Sequence, residues 1–260
     1  MNAGEWAGRA LGERTVSYAE RDVILYALAV GAPADRLDLV FEDRLRVLPT
    51  FGLTLAQWAP DILAAEGAWD DRSVHGAQTL EVHAPLARSG ELTLVARVGE
   101  VWDKGSAAVF EIVVESDCFT ATWSIFAPGR GGFGGERGPG RSSAETRGEP
   151  RVGTLATAAN QAALYRLTGD RHHIHIDPGA SARIGQPRPI LQGLCTLAAA
   201  TLTLADLSGA HPAELTRLDG RFSGPVVPGD ELTVRSWPDA SFEVLRGDHP
   251  VITDAKAVFA

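Results

Sequence analysis

Pro189-Ile-Leu-Gln-Gly-Leu-Cys-Thr-Leu-Ala-Ala-Ala-Thr-Leu-Thr-Leu-Ala205 is an uncharged stretch that presents apolar side chains around its whole circumference when it is wound as a helix. A surface helix needs a polar face, so this pattern indicates a helix that is buried on all sides. The stretch is shorter than the roughly 20 apolar residues that cross a bilayer, and it contains three threonines. We therefore predict a central helix inside a soluble fold, and Pro189 is typical of a helix start.

The chain carries a related pattern 141 residues earlier, where Gly52-Leu-Thr-Leu-Ala56 resembles Gly193-Leu-Cys-Thr-Leu-Ala198. Independently, residues 85–93 resemble residues 225–233, with an offset of 140 residues between Glu91 and Glu231. Two unrelated segments with nearly the same offset indicate a duplicated module. The uncharged stretch from Val47 to Pro60 accordingly predicts a second buried helix.

Runs with strand character follow each predicted helix. In the first half they cover residues 74–85, 91–101, 107–115 and 119–126, and in the second half residues 215–222, 231–237, 242–245 and 251–259. Glycine and aspartate mark the turns between them. This order predicts an α+β fold in which a helix wrapped by an antiparallel sheet is built twice. We place the two repeats at residues 1–128 and 151–260.

The segment between the repeats, residues 129–150, is predicted to be a Gly-rich flexible linker. Residues 128–140 hold seven glycines in thirteen positions. Their Gly-Gly-Phe-Gly-Gly core could cradle a phosphate, but it lacks the Lys-Ser/Thr pair of a P-loop and no helix pattern follows it. The linker interpretation is therefore favoured.

Charge and composition argue against several classes of function. The 260-residue chain has a formal net charge of -9, whereas a nucleic-acid-binding protein needs a basic face. Two cysteines, Cys118 and Cys195, are too few for a disulfide framework and indicate a reducing compartment. Since neither a signal-peptide pattern nor a membrane span is recognisable, we expect a cytoplasmic protein that acts without membrane or nucleic acid.

One loop gathers the side chains that are best suited to catalysis. It reads Tyr165-Arg-Leu-Thr-Gly-Asp-Arg-His-His-Ile-His-Ile-Asp-Pro-Gly-Ala-Ser181. Asp170 lies on a loop and His175 should follow on an extended stretch, with Gly169 and Pro178 turning the backbone so that the two side chains converge. A convergent aspartate and histidine can hold and activate one water molecule.

Two predicted helices flank this loop. An alanine-rich helix at residues 157–167, capped by Thr157, should end at Gly169, just before Asp170. The central helix begins after the loop, and the first-turn amides of a helix have no acceptor within the helix. The N–H of Gly193 could therefore donate to an oxygen that gains negative charge, which the helix dipole also favours.

The loop and the helix start together resemble the signature of the MaoC-like, hydratase 2 class of (R)-specific enoyl-CoA hydratases and 3-hydroxyacyl-CoA dehydratases. The similarity extends to His75-Gly-Ala-Gln78, Asp103-Lys-Gly105 and Arg221-Phe-Ser-Gly-Pro225, and so reaches along nearly the whole chain. It implies a double-hotdog fold. In such a fold the C-terminal repeat holds the catalytic loop, and the degenerate N-terminal repeat helps to house the acyl chain.

The resemblance also implies roles for individual positions. Asp170 and His175 match the catalytic pair, and Gly193 matches the glycine whose amide contacts the thioester carbonyl. The positions that contact acyl-CoA are matched by His75, Lys104 and Phe222. The implied reaction hydrates a trans-2-enoyl thioester of coenzyme A or acyl carrier protein, or runs in reverse. It needs no metal and no cofactor beyond the coenzyme A of the substrate, and a homodimer is the assembly that the resemblance suggests.

Two positions depart from the family pattern. His172-His173 stands where the family usually has Asn-Pro, and Gln192 stands where it usually has histidine before the helix glycine. The asparagine supports the hydrogen bonding of the loop, so these replacements bear on catalytic rate or substrate range. A catalytically weak acyl-thioester-binding protein and a hotdog thioesterase therefore stay open as alternatives. The residues also leave open which of Asp170 and His175 is the acid and which the base.

A metal site is the rival interpretation of the same loop. His173-Ile-His175-Ile-Asp177 resembles the start of the His-x-His-x-Asp-His run of metallo-β-lactamase-like hydrolases. Alternating histidines on a strand can share one metal. Pro178 takes the place of the last histidine, and His211 and His249 are isolated, so a metallo-hydrolase is less favoured. Cys195, inside the apolar helix, is expected to be a packing residue.

Coenzyme A carries phosphates that need positive charge. Lys104, Arg183 and Arg188 are basic residues within or near the motifs, and we predict that they bind these phosphates. Each of the two arginines could equally be an ordinary surface residue.

Overall fold

The computed structural model describes residues 2–140 and 148–260, and these form one ten-stranded sheet with seven α-helices. The strands are β1 (Ala10–Tyr18), β2 (Val74–Val82), β3 (Gly90–Asp103), β4 (Ala107–Glu115), β5 (Phe119–Pro128), β6 (Arg151–Ala156), β7 (Leu215–Phe222), β8 (Glu231–Ser236), β9 (Ser241–Arg246) and β10 (His249–Phe259). They follow the order β1-β3-β4-β5-β2-β7-β10-β9-β8-β6, and every neighbouring pair is antiparallel.

The sheet consists of two five-stranded halves with the same topology. The order β1-β3-β4-β5-β2 in the first half recurs as β6-β8-β9-β10-β7 in the second. Strands β2 and β7 pair with each other, from Ala77 opposite Arg221 to Glu81 opposite Arg217, and so join the halves. The predicted α+β fold of two helix-and-sheet modules is confirmed. The boundaries at residues 128 and 151 stay a prediction.

The sequence patterns missed the two strands at the edges of the sheet. Strand β1 lies at one edge and β6 at the other, and most of their side chains are exposed or only half-buried. An edge strand with few buried positions lacks the regular alternation by which a half-buried strand is recognised. The eight strands that were predicted all bury part of their side chains, and all eight are present.

The helices are α1 (Glu20–Ala29), α2 (Leu37–Val40), α3 (Phe51–Ala56), α4 (Trp58–Ala65), α5 (Gln161–Arg166), α6 (Pro178–Arg183) and α7 (Gly193–Ser208). Helix α7 is the buried helix of the second repeat, and Leu197, Ala198 and Ala199 on it are fully buried. It begins at Gly193 and not near Pro189, because the ψ of 134° at Gln192 is not helical. Ile190 and Leu191 before it donate to backbone oxygens elsewhere in the fold. Among the described residues, no helix is long and apolar enough to span a bilayer.

The corresponding stretch of the first repeat is two helices and not one. Helix α3 ends at Ala56, and α4 begins two residues later at Trp58. In a continuous helix Pro60 would have to donate to the carbonyl of Ala56, four residues earlier. Proline has no N–H and its ring clashes with that carbonyl, which accounts for the break.

The helix predicted at residues 157–167 is shorter than expected and begins at Gln161, with Asn160 as its N-cap. Thr157 lies before it and does not cap it. Its hydroxyl donates to the backbone oxygen of Asp230 at 2.7 Å and accepts from the N–H of Gly229 at 2.9 Å. A partner more than 70 residues away outweighs the local capping preference of threonine.

The described part of the predicted linker, residues 129–140, is anchored to the first repeat. The carboxylate of Asp103 accepts hydrogen bonds from the N–H groups of Gly132, Gly105 and Gly134 at 2.8 to 2.9 Å. These backbone donors lower the pKa of Asp103 to about 2. These residues are therefore held against the first repeat by hydrogen bonds, and their assignment as a linker stays a prediction. Residues 141–147 of the same prediction lie outside the described part of the chain.

We expect Asp103→Asn to loosen this segment, because a neutral amide accepts more weakly from three N–H groups than a carboxylate does. Trypsin should cut after Arg130 and Arg137 about tenfold faster in the variant, and mass spectrometry of the fragments measures this. Asp71→Asn, at an exposed carboxylate, is the matched control. Since the pKa of Asp103 is depressed, its stabilisation is present above the ordinary carboxyl range and is lost as the pH falls toward 2. Equal cleavage in both variants would contradict the anchoring role.

Candidate active site

Asp170 and His175 converge on the loop between α5 and α6. Gly169 turns the chain out of α5 with a φ of +139°, which side chains other than glycine rarely adopt. A 3₁₀ turn, His173–His175, then carries the histidine, so the expectation of an extended stretch is wrong. Nε2 of His175 lies 3.8 Å from Oδ2 of Asp170, and both side chains are largely buried. This separation exceeds a direct hydrogen bond, so an oxygen atom placed beside the pair can bond to both.

The hydrogen bonds of the pair leave one atom of each partner free. Nδ1 of His175 donates to the backbone oxygen of Ile190 at 2.8 Å, since a carbonyl can only accept. Oδ1 of Asp170 accepts from the backbone N–H of His172 at 3.1 Å. Burial lowers the pKa of His175, and the charge of Asp170 partly opposes this effect. At neutral pH the neutral imidazole therefore presents an unprotonated Nε2 toward Oδ2 of Asp170.

Gly193 brings a backbone donor to the same region. It is the first residue of α7, and no acceptor among residues 2–140 and 148–260 takes its N–H. A Cβ added there would lie 3.1 Å from the ring of Phe222, so glycine permits this close packing. Gly52 in the first repeat packs on Phe119 in the same way, but its N–H donates to the backbone oxygen of Pro49 at 3.1 Å. Of these two related glycines, only Gly193 retains a free donor.

His75 and Phe222, both predicted to contact acyl-CoA, lie against each other with ring centroids 4.8 Å apart. His75 stands on β2 and its Nε2 donates to the backbone oxygen of Ala77 at 3.0 Å. Burial lowers the pKa of His75 to about 4, opposed by this hydrogen bond and by the charge of Asp170. The contact connects β2 of the first repeat to Gly193 of the second. The site therefore lies at the junction of the two repeats.

Lys104 lies apart from the arginines that were predicted to share its role. It stands at the turn between β3 and β4, where its Nζ donates to the backbone oxygen of Arg137. Together with Arg137 and Arg221 it lines a groove of about 580 Å³ over β2 and β7. Arg183 and Arg188 do not line this groove. The structure thus brings Lys104 together with two arginines that were not predicted to bind phosphate, and phosphate binding by any of these residues stays a prediction.

Gln192 links the helix that carries Gly193 to the helix that leads to Asp170. The side chain is buried, and its Nε2 donates to the backbone oxygen of Ala162 in α5 at 3.2 Å. Its Oε1 has no hydrogen-bond partner in the described part of the chain. The residue that replaces the family histidine therefore holds α5 and α7 at a fixed separation.

Asp61, on helix α4, is a neighbour of the site that the sequence patterns missed. Burial and the negative charge of Asp170 raise its pKa, while His172 and Arg14 oppose this effect. The first repeat thus places a second carboxylate close to that of Asp170. No sequence signal marks Asp61, because it is a single aspartate on a short helix far from the loop in the chain.

The residues suspected of binding a metal are arranged differently from a strand of alternating ligands. His173 and His175 share a tight 3₁₀ turn, and Asp177 caps α6 by accepting from the N–H of Gly179 at 2.8 Å. No group of three or more metal-ligating side chains occurs among the residues that the structure describes. Cys195 is fully buried, its Sγ donates to the backbone oxygen of Ala29 at 3.5 Å, and burial raises its pKa, as expected of a packing residue.

Comparisons with known proteins match both repeats. Residues 16–127 match the MFE-2 hydratase 2 N-terminal domain, and residues 142–254 match the MaoC-like domain. The chain is 37% identical over 241 residues to enoyl-CoA hydratase ChsH3 of Mycobacterium tuberculosis. The matched region covers 86% of this chain and 84% of that protein. It is 34% identical over 239 residues to the 3-hydroxyacyl-thioester dehydratase Y of the same organism, covering 85% and 82% of the two chains.

The chain also resembles parts of longer enzymes and several solved structures. It is 36% identical to the peroxisomal multifunctional enzyme type 2 of Mus musculus over 90% of its own length but only 35% of that enzyme. The MaoC-like dehydratase of Phytophthora capsici superimposes with a TM-score of 0.86 at 25% identity, covering 97% and 96% of the chains. A double-hotdog protein of Mycobacterium tuberculosis, 13% identical, superimposes with a TM-score of 0.60 over 97% and 96%. The predicted double-hotdog fold is confirmed, whereas a cytoplasmic location stays a prediction.

Proposed function

Because this chain belongs to the family of MaoC-like hydratases and dehydratases, we propose that it adds water to a trans-2-enoyl-CoA to give the (R)-3-hydroxyacyl-CoA, or removes it in the reverse direction. The chain is a hydratase or dehydratase of that family. One observation carries the finer proposal. Nε2 of His175 lies 3.8 Å from Oδ2 of Asp170, and Nδ1 of the same ring bonds to the backbone oxygen of Ile190. Gly193, three residues after Ile190, has an N–H with no acceptor among the described residues.

The thioester determines where the charge goes. In an enoyl thioester C3 is electrophilic, because electrons from the double bond can move onto the thioester oxygen. In the proposed complex the N–H of Gly193 donates to that oxygen as it becomes an enolate. One such donor is worth roughly 100- to 1000-fold in rate. The positive end of the α7 dipole favours the same negative charge.

The Asp170–His175 pair binds and deprotonates the water in this proposal. In our proposal the water oxygen lies beside both free atoms, and Nε2 of His175 takes one of its protons while the oxygen bonds to C3. The proton then returns to C2 as the enolate collapses, so the sum of the steps is addition of H and OH across the double bond. Asp170 orients the water and stabilises the imidazolium that forms between the two steps. No metal or redox cofactor takes part in this scheme.

The substrate enters at the junction of the repeats in this proposal. His75 and Phe222 form the wall beside Gly193, and coenzyme A extends toward basic residues such as Lys104. Acyl carrier protein is the alternative carrier. In this proposal the pocket that the first repeat contributes determines which acyl chain lengths are accepted.

Hydration of crotonyl-CoA and longer trans-2-enoyl-CoA esters tests the function. We expect the conjugated double-bond absorbance to disappear, and chiral chromatography to identify the product as the (R)-3-hydroxyacyl-CoA. Release of free thiol without hydration would identify a thioesterase instead. Tight binding without turnover would identify an acyl-thioester-binding protein, and an (S) product would contradict the stereochemical part of the proposal.

A further inference from the structure

His172 contacts both members of the proposed catalytic pair, and it stands where the family pattern described above has asparagine. Its backbone N–H donates to Oδ1 of Asp170 at 3.1 Å. Its Nδ1 accepts from the backbone N–H of Ile174 at 3.4 Å, at the start of the 3₁₀ turn that carries His175. The rings of His172 and His175 lie edge to face, with centroids 6.1 Å apart. Residue 172 is therefore the link through which the turn is held in place beside Asp170.

The hydrogen bond to Ile174 requires an unprotonated nitrogen. A neutral imidazole has one donor and one acceptor nitrogen, and both nitrogens become donors when the ring is protonated. An asparagine side chain can accept from the N–H two residues ahead in the same way, and its oxygen does not titrate in the physiological range. Histidine at this position thus reproduces the cap of an asparagine only while the imidazole is neutral.

We propose that His172 is a positioning residue whose Nδ1 caps the turn His173–His175, holds Nε2 of His175 toward Asp170, and releases the turn when the ring takes up a proton. The catalytic part of this inference rests on the function proposed above, whereas the hydrogen bond itself does not. His172 contacts no reacting atom in this arrangement. It acts only through the orientation of His175.

Charged groups of both signs surround the ring of His172. Asp170 lies on its own loop, and Asp61 reaches toward it from α4 of the other repeat. On the positive side, Arg166 of α5 donates to the backbone oxygen of His172 at 3.2 Å, and His175 adds charge when protonated. The side chain itself is exposed, so a proton from solvent reaches it directly.

Two substitutions distinguish the hydrogen-bond acceptor at position 172 from the imidazole ring that supplies it. His172→Ala removes the acceptor and should lower kcat about tenfold with KM changed less than about twofold, as expected for loss of one cap. His172→Asn supplies an acceptor that does not titrate and should keep kcat within about threefold of the wild type. Melting temperatures of both variants confirm that the fold is intact. A His172→Ala enzyme with wild-type kcat would overturn the positioning role.

The pH dependence tests the titration. Because Asp170 and His175 are present in both proteins, the ratio of wild-type kcat to His172→Asn kcat removes the part of their contribution that does not depend on the charge of residue 172. We expect this ratio to be constant at high pH and to fall about tenfold once the pH is low enough to protonate the ring of His172. A ratio that is constant from about pH 5 to 8 would overturn the proton-dependent release.

A measurement without substrate keeps the inference separate from the proposed function. In ¹⁵N-labelled protein, the Ile174 amide resonance should shift upfield as the pH falls in the wild type, because its hydrogen bond is lost, and should stay in place in His172→Asn. A pH-independent Ile174 resonance in the wild type would overturn the cap even if the enzyme is active. Conversely, wild-type turnover in Asp170→Asn would overturn the catalytic assignment while leaving the cap intact.

Discussion

Replacing His175 with glutamine lowers kcat for enoyl-CoA hydration by about 100- to 10,000-fold, which is the expected loss for a general base. Glutamine is close in size and can form hydrogen bonds, but it cannot take a proton from water and return it to carbon. Nδ1 of His175 donates to Ile190 and Nε2 faces Asp170, so the substitution removes the proton-accepting nitrogen together with the donor to Ile190. Steady-state kinetics with crotonyl-CoA, followed by absorbance, measure the change.

His173→Gln is the matched control for His175→Gln. His173 stands on the same 3₁₀ turn, but its side chain is exposed and forms no hydrogen bond with any residue that the structure describes. We expect its kcat to stay within about twofold of the wild type, as for an ordinary surface substitution. Equal losses in the two variants would point to disturbance of the turn and would remove His175 from the mechanism.

Gly193→Pro should reduce kcat by about 100- to 1000-fold, because proline has no N–H to donate to the thioester oxygen. The backbone accepts this change with little strain. Position 193 is the first residue of α7, where proline is favoured, and Gln192 already has φ -58° and ψ 134°, as residues before proline prefer. Single-turnover measurements of hydration are suitable, because they report the chemical step directly.

Gly193→Ala separates the lost donor from the added atoms. Both substitutions place a Cβ about 3.1 Å from the ring of Phe222, but alanine keeps the N–H. We expect alanine to cost about tenfold or less through displacement of that ring, a loss of the size that mild overpacking causes. If proline and alanine reduce kcat equally, the amide of Gly193 does not stabilise the transition state.

The duplicated architecture could be predicted because its signals are local. Apolar residues around a whole helix, as at Leu194 to Leu204, indicate burial without any knowledge of the partner. Runs with strand character, bounded by glycine and aspartate at the turns, predicted the eight inner strands in the same local way. The breaks within helices and the ends of helices were harder to predict. Pro60 divides the first buried helix, and its effect on the carbonyl of Ala56 could have been read from the sequence.

Contacts between distant parts of the chain could not be predicted. Thr157 binds the backbone at Asp230 instead of capping a helix, and Asp103 gathers the N–H groups of a glycine-rich segment almost 30 residues away. Asp61 approaches Asp170 from the other repeat. No pattern along the chain marks the distant partner of any of these residues. The role of each exists only because folding brings a second segment to it.

The sequence by itself determined which groups we propose for the chemistry, namely Asp170, His175 and Gly193, because their spacing along one loop and one helix start is a local property. Tertiary structure decided what state those groups are in. Ile190 selects the nitrogen of His175 that is free, and burial keeps the ring neutral. The N–H of Gly193 is left without an acceptor, whereas that of the related Gly52 is occupied. Protonation and hydrogen bonding depend on surroundings in space, and no pattern along the chain contains them.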